Sequence, residues 1–131
     1  MDLGKLKYYI NARLESLTDI NIYDGSAPEN ATFPYLVYII QSSTKEEHNK
    51  HRILEIDFWD DTNDDSAILA ASKVVEEGKY VGGVLTVYGL DKSYQVETEG
   101  YYRCYIDMDG EIPVIESNMS RIYQRYLLIV N

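Results

Sequence analysis

The most constraining stretch of this chain is a change of period in its middle. From Arg52 to Trp59 the side chains alternate, with Leu54, Ile56 and Phe58 on one side and Glu55, Asp57 and Trp59 on the other. That is the period of a half-buried strand. A few residues later Ala67, Ile68, Ala71, Val74 and Val75 recur at helical spacing. Between them stands an acidic turn, Asp60-Asp61-Thr62-Asn63-Asp64-Asp65. Thr62 as N-cap with Asp65 three residues on approximates a capping box, and Asp64 and Asp65 suit the positive end of the helix dipole. Gly78 falls where a helix ends in a left-handed residue. Strand, cap and amphipathic helix in direct succession demand a sheet with a helix laid across one face.

The flanks extend the pattern. Leu3, Leu6, Ile10, Leu14 and Leu17 share one helical face, and Thr18-Asp19 ends it. Asp24 to Asn30 is loop chemistry. Pro34 opens a β-rich run, Tyr35 to Ile40, which pairs naturally with the alternating strand as an antiparallel hairpin around a polar Ser42 to Lys50 segment. Gly82-Gly83 marks a turn before a strand at Val84 to Tyr88. Further strands are expected at Tyr101 to Met108, with Tyr102, Cys104, Ile106 and Met108 on one face, and at Ile122 to Val130. Asp109-Gly110 is a hairpin signal, and Pro113 demotes the short strand after it to an edge or arm. The predicted architecture is α+β: an antiparallel or mixed β-sheet with two α-helices packed on one face. The 131 residues make one domain, 1–131, with an inserted hairpin or arm at about 92–118.

Charge excludes several functions. The chain carries 22 acids against 12 bases, a net charge of −10, and its bases are scattered. Binding nucleic acid or an anionic membrane from outside needs a basic patch. No apolar run approaches the ~20 residues of a membrane span, and the first residues have no signal-peptide h-region. One cysteine, Cys104, forms no internal disulfide and alternates with core residues, as a buried structural thiol does.

Catalytic constellations are hard to find. No phosphate-binding loop is present. His48 and His51 with Glu46 and Glu47 have metal-compatible spacing but sit in a polar loop. Asp61, Asn63 and Asp65 begin like a calcium loop, yet Ser66 and Ser72 replace its glycine and its bidentate glutamate. The helix-cap role accounts for the same acids. The chain reads as a non-enzymatic protein with no cofactor and no metal. Thirteen tyrosines suit either strand packing at the core margin or interfaces.

Several segments together resemble one family. They are Phe33-Pro34-Tyr35-Leu36-Val37-Tyr38, the strand Ile56-Asp57-Phe58-Trp59 running into the helix Ser66 to Val75, and the closing Arg121-Ile122-Tyr123-Gln124-Arg125-Tyr126. Their order over roughly residues 3 to 130 is similar to that of the small tail-completion proteins of long-tailed bacteriophages. That family includes tail terminators and head-to-tail joining (neck) proteins. The resemblance implies a ring, commonly hexameric, that caps the tail tube and meets the head connector or adaptor protein, while DNA passes through its bore without sequence-specific binding. It implies a virion protein of the tail-head junction, made in the host cytoplasm. Lys45, Glu46, Glu47, Lys50, Trp59, Tyr94, Glu97 and Tyr101 are the candidate subunit or tail contacts. Asp60, Asp61 and Glu99, with Glu46, Glu47 and Glu97, are candidate bore-lining acids that would repel the duplex. A head-side stopper or adaptor fits the same features. A small acidic ligand-binding module, and a hydrolase using unlocated carboxylates, are the rivals from other classes.

Overall fold

The computed structural model describes residues 2–45, 50–96, 100–112 and 118–130, without the side chains of 42–45 and 50. Helix α1 (Leu3–Leu17) starts where the Asp2 carboxylate accepts the Lys5 N–H at 2.8 Å. Strands β1 (Asn21–Asp24), β2 (Tyr35–Lys45) and β3 (Lys50–Asp60) follow, then helix α2 (Ser66–Glu77). The chain continues as β4 (Gly78–Val81), β5 (Val84–Tyr88), β6 (Ser93–Val96), β7 (Gly100–Glu111) and β8 (Ser120–Val130).

Six strands form one sheet in the order β1-β2-β3-β8-β7-β6. Only β1 and β2 run parallel; every other pair in this sheet is antiparallel. Strands β4 and β5 make a separate ribbon around Gly82-Gly83. Leu36, Tyr38, Leu54, Ile56, Phe58, Tyr102, Cys104, Ile122, Tyr126 and Leu128 point from the sheet into one cluster. Leu6, Ile10 and Leu14 of α1 and Ile68, Ala71 and Val75 of α2 complete it. The fold is therefore α+β, with a mixed, mostly antiparallel sheet whose apolar face is covered by both helices.

Gln124 is a polar exception within that core. It is fully buried, donates from Nε2 to the Ser72 carbonyl at 2.9 Å, and accepts the Tyr126 hydroxyl at 2.9 Å. Ser72 donates to the Leu69 carbonyl, so β8 and α2 are tied by a closed polar chain inside an apolar layer.

Several details differ from expectation. Helix α2 starts at Ser66, with Asp65 at the cap position but no side-chain bond from it. Thr62 Oγ1 accepts the Asp64 N–H, and Asp64 Oδ1 accepts the Ser66 N–H, so the turn distributes the capping over two residues. Asp109-Gly110 is not a hairpin turn: β7 runs on to Glu111 and pairs those residues with Gln124 and Tyr123. A register shift between Ile106 and Met108 turns Met108 away from the core, opposite Arg125 and 49% exposed. The extra residue reverses the alternation downstream of it. Strands β1, β4 and β6 add to the expected set. Of the Ser42 to Lys50 segment, 42–45 belong to β2 and Lys50 opens β3, while 46–49 lie outside the described residues. Pro113 lies outside the described residues.

Candidate assembly surface

Among the described residues the second face of the sheet carries no helix, and its side chains follow from register. Alternation sends Tyr35, Val37, Ile39 and Gln41 of β2, Glu55, Asp57 and Trp59 of β3, and Arg121, Tyr123, Arg125 and Leu127 of β8 to this side. Opposed residues there pair acid with base or hydroxyl. Arg121 donates from Nε and Nη2 to Asp57 Oδ1, both at 2.7 Å, while its guanidinium lies 4.9 Å from the Trp59 ring centroid. Tyr123 donates its hydroxyl to Glu55 Oε2 at 2.9 Å, and Gln41 donates to Glu55 Oε1. Arg125 holds Asp107 Oδ2 from Nε at 2.8 Å and Nη2 at 2.6 Å.

Burial pushes the Asp57 carboxyl up, against the opposing pull of Arg121. Burial, with the Glu55 carboxylate beside it, pushes the Tyr123 hydroxyl up to about 12. Each acid in this ladder is committed to a donor. The arrangement is a rigid, patterned surface, and it places no activated nucleophile beside a base.

Below the ladder the face turns apolar. Ile53, Tyr105, Leu127 and Ile129, with His51 and Arg52, line an open cleft of about 460 Å³. Ile39, Tyr105 and Leu127 are 40%, 44% and 47% exposed. A second apolar feature is the β4-β5 ribbon, whose Tyr80, Val81, Val84 and Tyr88 are all exposed.

The anticipated contact residues separate into groups. Trp59 sits in the ladder, and Tyr101 lies on the same helix-free face beside Gln95. Tyr94 is not a surface contact. It is buried, donates its hydroxyl to the Gly89 carbonyl, stacks 5.2 Å from Tyr102, and has Arg13 4.1 Å over its ring. Asp60 is not an exposed bore acid either. It is 6% exposed, accepts the Asp61 N–H, and has its carboxyl pushed up by burial. Asp61 is exposed. Lys45 and Lys50 are register partners in the backbone of the β2-β3 pair. Glu46, Glu47, Glu97 and Glu99 lie outside the described residues, as does His48.

Arg121, Tyr123, Gln41 and Arg125 join the site from the structure alone. Their signal is present in the sequence, since Arg121, Tyr123 and Arg125 alternate on the last strand, but their partners on β3 depend on a register that sequence does not give. Cys104 is fully buried with its thiol pushed up to about 12 by burial, as a structural cysteine should be. Among the described residues no group of three His, Cys, Asp or Glu is placed to hold a metal ion. No helix there is long and apolar enough to cross a membrane.

Comparison of the chain with models of known protein families gives no match, and neither does comparison with curated protein sequences.

Proposed function

We propose that this chain is a structural virion-assembly subunit, a ring-forming tail terminator that caps a phage tail tube and meets the head connector. One observation carries the reading. The Ile56-Asp57-Phe58-Trp59 strand sends Ile56 and Phe58 into the core and Asp57 and Trp59 onto a helix-free face, where Arg121 of the last strand locks them together. The segments that resemble the tail-completion family thus meet at one rigid surface patch. Ring subunits need two different complementary surfaces, because cyclic contacts are heterologous. Here the charged ladder, the apolar cleft and the protruding β4-β5 ribbon are three distinct ones. The acidic balance suits a conduit through which DNA slides without sticking.

The deciding measurement is native mass by light scattering on a sizing column, over a concentration series and with purified tail tubes added. A discrete ring-sized species, or binding to the tube end, supports the terminator. A monomer that ignores tail tubes at every concentration overturns it. Pull-down by DNA-filled heads but not by tubes would move the protein to the head side of the joint, as a stopper or adaptor.

A further inference from the structure

Among the described residues, strands β2 and β7 are each only half covered on their outer sides, and they are uncovered at opposite ends. On one side β1 pairs with Tyr35 to Tyr38 of β2, leaving the edge of β2 from Ile39 to Lys45 without a strand among the described residues. On the other side β6 pairs with Gly100 to Arg103 of β7. The next two outward amides of β7 are also taken, Cys104 by the Lys92 carbonyl and Ile106 by the Asp91 carboxylate. From Asp107 to Glu111 the β7 edge is exposed and has no neighbouring strand among the described residues. Such rows of unpaired backbone groups are templates for another strand.

We infer that these two half-edges are the complementary halves of a head-to-tail contact between copies of this chain, the β2 half-edge of one copy pairing with the β7 half-edge of the next. The inference rests on the ring reading above and specifies its subunit contact. Three features support the match. Strands β2 and β7 run in opposite directions within the sheet, so copies placed side by side in the same orientation bring them together antiparallel. The notches also interlock: β6 of one copy lies below the end of the incoming β2, and the incoming β1 lies above the end of β7. Finally, the charges are complementary. The β7 half carries Asp109 and Glu111, beside an Asp107 that Arg125 already holds, while 39–45 carries Lys45 and no acid.

The stagger follows from register. Asp109, the middle of the free β7 half, is level with Tyr38 of its own sheet, through Gln124 and Ile56. The middle of the free β2 half is Ser42. Neighbouring copies are therefore displaced by about four residues, roughly 13 Å at the rise of a strand. Spread over the four strands β2, β3, β8 and β7, that is about one residue per strand. The same ratio of shear to strand number closes eight-stranded barrels, with strands tilted by ~36°. The displacement is thus compatible with a closed assembly.

Cross-linking tests the pairing. Gln41, Met108 and Gly110 all face the helix-free side, and a Cβ at Gly110 meets no atom within 4 Å. Two single variants, Gln41→Cys and either Met108→Cys or Gly110→Cys, would be mixed and oxidised with diamide, with native mass followed in parallel. Buried Cys104 stays in place as an internal blank. The expected result is a disulfide in the mixture at least tenfold above either variant alone, and a ladder of multimers from the Gln41→Cys/Met108→Cys double variant. A Gln41→Cys homodimer would show a two-fold edge contact and overturn the inference. So would preferential cross-linking of Gln41→Cys to Tyr105→Cys, the β7 position level with Gln41 when copies have no stagger. A ring-sized species without the mixed cross-link overturns this contact and leaves the ring. Monomer with no cross-link at any concentration, with tail tubes absent or present, overturns both.

Discussion

Replacing Gln124 by leucine should cost the fold far more than a similar change on the surface, and in a way that a second substitution partly repairs. Gln124 is buried at the seam between β8 and α2, with two hydrogen bonds of 2.9 Å. Leucine keeps most of its volume but leaves the buried Tyr126 hydroxyl with no acceptor, costing about 1–3 kcal/mol. Loss of the bond to the Ser72 carbonyl adds about 1 kcal/mol, since that carbonyl sits on a helix that can still use it. The expected total is about 2–4 kcal/mol, or roughly 10 °C in Tm for a domain of this size. Urea titration should show a lower midpoint with an unchanged slope. Tyr126→Phe alone leaves Gln124 Oε1 unpaired and should also destabilise. In the double variant Gln124→Leu, Tyr126→Phe neither orphan exists, so it should be about 1–2 kcal/mol more stable than the sum of the singles predicts. Strict additivity would refute the idea that unpaired polar groups, and not lost packing, set the cost.

Alkaline pH should unfold the protein abruptly. Burial raises the hydroxyls of Tyr102 and Tyr126 well above 10 and that of Tyr38 to about 12, with Asp24 and Glu15 adding to the last. Below pH 10 these groups are protonated in both states and stability is flat. Above it the unfolded chain ionises first, so stability falls by up to ~1.4 kcal/mol per pH unit for each fully buried tyrosine. Tyrosinate absorbance should rise together with loss of ellipticity; a smooth non-cooperative titration of all thirteen tyrosines would contradict this. Cys104 should resist thiol reagents at neutral pH and react at the rate of global opening, so labelling as fast as a free thiol would show that the helix layer does not cover this side of β7. Gly89→Ala should lower Tm by several degrees, because a Cβ there would collide with the Glu76 carbonyl oxygen and lie 2.6 Å from the Gly78 nitrogen. Unchanged melting would mean that the ribbon is not held tightly against the end of α2.

Legibility from sequence tracks the length of each signal. Helices α1 and α2 and strands β2, β3, β5 and β8 all carry a periodic or β-rich run, and burial of one face enforces what the pattern implies. Gly78 is readable because its φ of 108° is one that a glycine adopts freely. Strands β1, β4 and β6 have four residues each, too few for a period to register, and they exist because a longer strand or a turn holds them. The β7 bulge erases a clean alternation at Met108, and pairing with β8 overrides the Asp109-Gly110 turn signal. Tyr94 misleads for a related reason. Its short strand hides the alternation that puts it beside Tyr102 in the core. The ladder on the open face is half legible: Asp57 and Trp59 visibly share a side, but Arg121 lies 64 positions away from Asp57, and only strand order brings them together.

The position of β8 has a consequence for how the protein is made. Ser120–Val130 is the last strand of the chain described, yet it lies in the middle of the sheet, between β3 and β7. During synthesis, strands β1 to β3 and strands β6 and β7 leave the ribosome as two half-sheets with a vacant slot between them. Leu54, Ile56 and Phe58 have no neighbour on that side until residues more than sixty positions later arrive. Such long-range closure is slow, and in the interval each half presents an open, apolar strand edge. The two halves of the sheet are therefore joined from the inside by β8, and a nascent chain that stalls before Ser120 should be a substrate for chaperones or for aggregation.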